Sequence, residues 1–444
     1  MKTPGLRVTL FALVLAVFSA VPALAETTVY NMEQAVRRAL EANPSILAAR
    51  HDLQGAEEGR KSARGAFLPS ATAQYGYTHT DHDKPKPRKT GEAQREADLW
   101  NAGLNVHQDI FTGWRILSTY QRSVLSKDQT AATLQNAELT LVGLVQQNFL
   151  GLLKAREDVR AAQDSLARLQ EQLKVTRAFY DVGLKPRLDV LQAEVDLAQA
   201  EDNLIESKNS VETQHARLNT LLNIPLTADV EYEGSLDYTP FSQTIEQVLT
   251  RAYHNRPDLY IAAKSVEIAL KDESIARSGY YPQLGADFDW TTFGDDPAAS
   301  GSDLVKTEFS EWSIGVNATW TFWEWGENYY AVQQAKENVK SLISTADNTR
   351  QEATFDVKSN HLSIFKAAES IKVNRKAVEA AQEGYRMAVA RYQAQVGTNT
   401  DVLDAQERLT NAEADLIAAL ADYRIALSRM YVSMGEKNLT LEAQ

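Results

Sequence analysis

The sequence predicts a mostly α-helical chain with a small β part that can belong in a membrane, the whole built twice over. Three observations predict it. One order of blocks occurs twice, two very long stretches lack proline, and a few short segments alternate apolar with polar residues.

The duplication is argued first, because a missed repeat misassigns every later element. MEQAVRRALEANP at 32–44 lies over IEQVLTRAYHNRP at 245–257, an offset of 213. The same offset puts Ala63-Arg64 over Ala276-Arg277 and Phe67-Leu68-Pro69 over Tyr280-Tyr281-Pro282. FTGW at 111–114 lies over FWEW at 322–325, offset 211, and DVLQAE at 189–194 over DVLDAQ at 401–406, offset 212. Four blocks in one order at nearly constant spacing define a doubled domain. The expected layout is a signal segment 1–25, a first repeat 26–226, a linker 227–243, a second repeat 244–435 and a tail 436–444.

Each half opens with a helix, 31–66 and 244–279, interrupted early by a proline. Alternating segments follow. In 312–322, Trp312, Ile314, Val316, Ala318, Trp320 and Phe322 share one face, with Ser313, Gly315, Asn317, Thr319 and Thr321 on the other. Eleven residues of period two match a tilted membrane strand. Leu284 to Trp290, Trp100 to Val106 and, more weakly, Ala71 to Tyr77 alternate likewise, giving four strands per chain. Polar loops at 83–96 and 295–303 join the strands of each half. Tyr75, Tyr77, Trp290, Trp312, Trp320, Trp323 and Trp325 gather at strand ends, as in an aromatic girdle or in a soluble sandwich with buried tryptophans.

Long helices come next. Residues 114–181 and 326–395 hold no proline and little glycine, and each would run about 100 Å at 1.5 Å per residue. Shorter helices are expected at 188–222 and 401–434. Val159, Ala162, Leu166, Leu169, Leu173, Thr176 and Tyr180 step alternately by 3 and 4, as do Leu409, Ala412, Leu416, Ala419, Tyr423, Ala426 and Met430. Ile417, Leu420 and Leu427 add a second stripe beside the latter, so that helix should pack against two neighbours. A ring of helices and a soluble bundle both use this pattern.

Composition excludes several functions. Lys2 and Arg7, an apolar run Leu10–Phe18 and Ala23-Leu24-Ala25 read as a cleavable export signal. Its removal leaves 44 basic against 59 acidic residues, net −15. Such a chain does not suit nucleic acid or anionic headgroups. With no cysteine there is no disulfide, thiol nucleophile or cysteine-held metal. No phosphate loop, nucleophile elbow or HExxH motif occurs, so neither an enzyme nor a cofactor is expected. His79, His82 and Asp83 lack ligand spacing and read as a solvated loop.

Four strands cannot close a membrane barrel, which needs at least eight, and an open edge in lipid leaves backbone groups unpaired. Strands in a membrane must therefore be pooled by two chains or three.

The doubled helix–hairpin–long-helix order, the LP/YP step into the first strand, the F-x-x-W turn into the long helix and the V-G…D-V-L-x-A turn resemble the TolC family over residues 26–435. The resemblance implies a homotrimer with a twelve-stranded barrel in outer-membrane lipid and a long helical barrel across the periplasm. It further implies an exit duct for an efflux pump or type I secretion system, working with a periplasmic adaptor and an inner-membrane RND or ABC transporter. The rival reading is a periplasmic coiled-coil scaffold without a barrel.

The helices of each half fold back at YDVGLKPRLDVL (180–191) and YQAQVGTNTDVL (392–403). Gly183 and Gly397 suit left-handed helix ends. Asp401 and Asp404 are three apart on one helix face, and the resemblance implies that this pair lines the closed entrance, with Asp189 of the first tip a further candidate for the constriction. Three copies would make two carboxylate rings that attract cations. Capping competes with this role, with Asp401 as an N-cap and Asp189 with Gln192 as a capping box. The aromatic residue and arginine that often lock this family's second tip are replaced by Ala394 and Asn399. Counted from glycine to aspartate, the second tip is two residues shorter. Lys185, Arg187 and Asn399 are the expected tip contacts, with Lys185 or Arg187 the substitute expected to pair with Asp189 or Asp401.

Overall fold

A computed structural model describes residues 28–79, 98–294, 296–299 and 309–441. The signal segment, the 83–96 loop, His82 and Asp83 lie outside them.

The two halves carry matching elements. α1 (Met32–Ala42) and α2 (Pro44–Gly65) correspond to α5 (Ile245–Asn255) and α6 (Pro257–Arg277). Pro44 and Pro257 break these pairs as expected, each sitting in the first turn of the second helix, where a missing N–H costs nothing. α1 and α5 both begin with capping boxes, Asn31 with Gln34 and Thr244 with Gln247. α3 (Arg115–Asp181) and α7 (Glu327–Gln393) are 67 residues each. α4 (Arg187–Leu221) and α8 (Asn399–Ser433) are 35 each.

Each pair of strands feeds one sheet of four, in the order β2 (Ser70–His79), β3 (Asp98–Thr112), β5 (Gln283–Gly294) and β6 (Phe309–Thr319), all antiparallel. Short β1 (Thr28–Tyr30) and β4 (Val230–Tyr232) pair in parallel beside the main core. The register sets Leu104 opposite Trp290, Phe288 opposite Ile314, and Ala286 opposite Val316. Directly opposed residues share a face, so the apolar positions of all four strands form one continuous surface. The other face carries Asn105 hydrogen-bonded to Asp289 (2.7 Å), His107 to Asp287 (2.6 Å), and Asn317.

Trp312, Ile314, Val316 and Ala318 lie on the apolar face as expected, but the strand stops at Thr319 rather than 322. Its last partner, Gln283, is where β5 begins, so Trp320 and Phe322 have no ladder to join. Trp320 donates its indole N–H to the Tyr280 carbonyl instead (3.3 Å).

On the sheet side the helices form a layer ordered α2, α3, α6, α7; on the far side the order is α4, α3, α8, α7. The continuous helices α3 and α7 thus change neighbours halfway. α8 packs against both α7 and α3, as its double stripe requires. The main apolar core sits at that changeover. Phe149, Leu150 and Leu152 of α3 meet Leu218 and Leu222 at the end of α4, Leu427 and Met430 of α8, and Tyr232 of β4. Along α3, Leu169, Leu173 and Thr176 of the heptad seam are buried, while Tyr180 turns outward. Among the described residues, no helix is long and apolar enough to cross a membrane.

The two-faced sheet yields a paired expectation in a bilayer. Val316→Arg, on the apolar face near mid-strand, should cost about 2–4 kcal/mol, and Asn317→Arg should be tolerated. Folding titrations in lipid vesicles compare the two; equal losses would mean that the register does not divide lipid from water.

Candidate functional site at the hairpin tips

Five residues join α3 to α4 (182–186), and five join α7 to α8 (394–398), so the second tip is not shorter than the first. At the first, Gly183 takes the left-handed conformation (φ 74), and Leu184 N–H closes onto the Phe179 carbonyl (2.8 Å). At the second that conformation falls on Gln395 (φ 61), the counterpart of Gly183, and not on Gly397. The Val396 and Gly397 N–H groups both donate to the Arg391 carbonyl, which holds the turn. A Cβ on Gly397 would press on Arg391 and Tyr392 at 3.2 Å, so glycine serves close packing there.

The capping assignments also change. α8 starts at Asn399, with Thr398 as N-cap. Asp401 is the third helical residue, where its carboxylate accepts from the Thr398 N–H (2.9 Å) while its own N–H donates to Thr398 Oγ1 (3.1 Å). The Thr398 N–H and, after it, the nearby Thr398 hydroxyl hold the Asp401 carboxyl below its ordinary range, with help from the charge of Arg391. Asp189 is likewise third in α4, but Pro186 before it offers no capping side chain, so no box forms with Gln192.

Asp401 and Asp404 border different flanks of α8. Asp401 lies in the groove between α7 and α8 with Arg391 and Arg408. Asp404 lies in the groove between α4 and α8, with Leu188, Leu191 and Asp196. Burial raises the Asp196 carboxyl, and the charges of Glu407 and Asp404 raise it further. The α4/α8 groove is thus the more acidic, while two arginines partly offset Asp401 in the other.

The two hairpins are tied together by a buried polar knot. Asn399 is 1 % exposed. Its Oδ1 accepts from Gln172 Nε2 (2.9 Å) and Thr176 Oγ1 (3.2 Å), and its Nδ2 donates to the Asp189 carbonyl (3.1 Å). The buried Tyr392 donates to Thr176 Oγ1 (3.3 Å) and packs against Phe179 at 5.5 Å between ring centroids. Lys185 reaches neither Asp189 nor Asp401. It donates to the Gly397 carbonyl (3.2 Å) and lies 4.9 Å from the centre of the Tyr392 ring. Arg187 is exposed at the start of α4 and pairs with neither Asp189 nor Asp401 among the described residues. One asparagine therefore joins three helices, α3, α4 and α8. Tyr392 belongs to the second tip's motif, seven residues before Asn399, and that spacing is the signal in the sequence for its part in the knot.

These features define a class: a long wall of helices, tied at one end and carrying at the other a four-stranded antiparallel sheet with two free edges. The chain has the fold of trimeric TolC-like outer-membrane channels. It belongs to the outer membrane efflux protein family, whose pattern matches residues 35–223 and 248–436, one match per half. It is 25% identical over 417 residues to outer membrane protein TolC of Vibrio cholerae, covering 91% of this chain and 90% of that one. Alkaline protease secretion protein AprF of Pseudomonas aeruginosa is 23% identical over 401 residues, 88% and 82% of the two chains. The Campylobacter jejuni CmeC outer membrane channel superposes with a TM-score of 0.80 at 19% identity, covering 91% and 85%. The protein is accordingly an outer-membrane exit duct of the efflux or type I secretion kind, and its relatives are channels, not enzymes.

The knot sets an expectation for tip stability. Asn399→Ala strips Gln172, Thr176 and the Asp189 carbonyl of a buried partner, a local loss of about 1–3 kcal/mol. Amide exchange around 172–176 and 399–406 should rise roughly tenfold or more, while the core near Phe149 stays protected. Unchanged exchange at the tips would show that they are held otherwise. The lowered Asp401 pKa adds a pH dependence. Its contribution to the first turn of α8 is complete above the unfolded carboxylate value and is lost as pH falls through the lowered one. Asp401→Asn should remove that acid-side response from the same exchange measurement.

Proposed function

We propose that three copies form a passive duct, gated where the hairpin tips converge, that receives cargo from an adaptor-coupled inner-membrane transporter. The observation that carries this is the four-stranded sheet with free edges at β2 and β6, set at one end of 67-residue helices. In lipid those edges need partners, and β6 of one copy can pair antiparallel with β2 of the next. Three sheets give a barrel of twelve strands. A rival periplasmic scaffold would leave the continuous apolar face of this sheet without a solvent that suits it. The adaptor and the RND or ABC transporter are the partners that such a passive conduit would need to drive its cargo.

At the tips, Asp404 and Asp401 are the residues assigned to the constriction, with the Asn399 knot as the tie that must yield for opening. Three copies bring Asp404, with Asp196 and Glu407 behind it, around one axis, so the closed mouth should prefer cations and bind multivalent ones. Asp401, neighboured by Arg391 and Arg408, contributes the smaller share.

Native mass measurement in detergent should give a trimer as the main species; a monomer or dimer would end this reading. In planar bilayers, replacing both Asp401 and Asp404 by alanine should weaken cation selectivity and abolish block by a trivalent cation. Asp404→Ala alone should account for most of the change. A double variant that assembles normally and keeps its selectivity and block would leave these aspartates as helix-start residues only.

A further inference from the structure

Within one protomer, α3 and α6 form a tight junction just below the sheet. Gly113 (φ 60) lets the start of α3 come so near that a Cβ there would lie 2.6 Å from the Ser278 carbonyl oxygen and 2.9 Å from Tyr281 Cβ. Farther along, Arg122 pairs with Asp272 (2.7 Å) and Gln129 donates to Ser265 (2.7 Å).

The duplication supplies the counterpart of this junction. α3 maps onto α7 as Arg115 onto Glu327, and α6 onto α2 as Pro257 onto Pro44. α7 and α2 stand at opposite ends of the sheet-side layer, so the second junction can form only between copies. Carried across, Gly113 becomes Trp325 and Ser278 becomes Gly65. Arg122 with Asp272 becomes Gln334 with Gly59, and the hydrogen-bonding pair Gln129 and Ser265 becomes Ser341 and Asp52. This placement follows the helix starts and so shifts the FTGW/FWEW overlay by one residue.

The sizes are inverted. Trp325 keeps the left-handed turn of Gly113 (φ 50), so its Cβ points the way a Cβ on Gly113 would. It is 87% exposed in the protomer. A Cβ on Gly65 would meet nothing within 4 Å, and the neighbouring Leu68 is 69% exposed. A tryptophan cannot repeat an approach at which a Cβ sits 2.6 Å from a backbone oxygen.

We propose that Trp325 of each copy fills a widened seam against Gly65 and Leu68 of the next copy. The ring of helices below the barrel then alternates three tight seams inside the copies with three wide, indole-filled seams between them. This rests on the trimeric reading above and names its contact. The rival occupant of Trp325 is the lipid–water interface, which suits an exposed indole equally well in chemistry but requires no neighbour.

The chain has no cysteine, so paired cysteines test the seam directly. Trp325→Cys with Gly65→Cys, treated in native membranes with a short bismaleimide, should give covalent dimers and trimers, and either single variant should give none. Gln334→Cys with Gly59→Cys keeps the indole and should link in the same way, which carries the test if loss of Trp325 prevents assembly. A trimer by native mass that links at neither pair overturns the seam while leaving the trimer intact. A protein that is not a trimer overturns both. Trimers without links whose Trp325 emission is quenched by brominated lipid would assign the indole to the membrane instead.

Discussion

Backbone hydrogen bonding in a medium without water governs the architecture. A strand edge can be left to solvent in a soluble protein, but in hydrocarbon each unpaired group costs several kcal/mol. One chain offers four strands with two free edges, and neither local turns nor side chains can satisfy them. That copies must pool their strands follows from that need. Association is then a condition of being folded in the membrane and not a later addition.

The helical part answers a different problem, which is to build a long wall from few segments. Each half spends one continuous 67-residue helix on the full length and covers its two ends with shorter helices. The changeover between these coverings is where most of the large buried side chains lie, because there elements from both halves and the linker meet. Beyond it the wall is one layer of four helices and has little interior. Polar bonds such as Arg168 with Glu413 (2.8 Å) and the Asn399 knot then take over from apolar burial.

The sequence carried most of this design in periodic form. Pro44 and Pro257 marked both helix breaks, and the 3–4 stepping of Leu409 to Met430 foretold a helix with two neighbours. Alternation located all four strands, though β6 ended early because strand ends depend on the partner's length. The tip was less legible. A glycine is the usual sign of a left-handed residue, yet Gln395 holds that conformation because the hydrogen bonds of its turn over-determine it. The knot was hidden for another reason. Asn399 is legible as a tip contact, but its partners Gln172 and Thr176 lie more than 200 residues away in the chain, beyond any local pattern. Lys185, assigned to a carboxylate by charge, found a carbonyl and a ring because the turn length set its reach.

The unequal distribution of the core has a mechanical consequence. The changeover ends near Leu153, and the tip begins after Asp181, so α3 extends roughly 40 Å beyond its firm anchorage. Along that length the apolar interior dwindles to a small cluster around Leu173, Val190 and Ala193. Each hairpin is therefore a cantilever, clamped at one end and pinned to its companion at the other. A tilt of about 5° at the clamp swings the free end by roughly 3–4 Å over such a length. Leverage of this kind lets a mouth dilate with almost no rearrangement in the clamp, so the wall can stay sealed while its end moves.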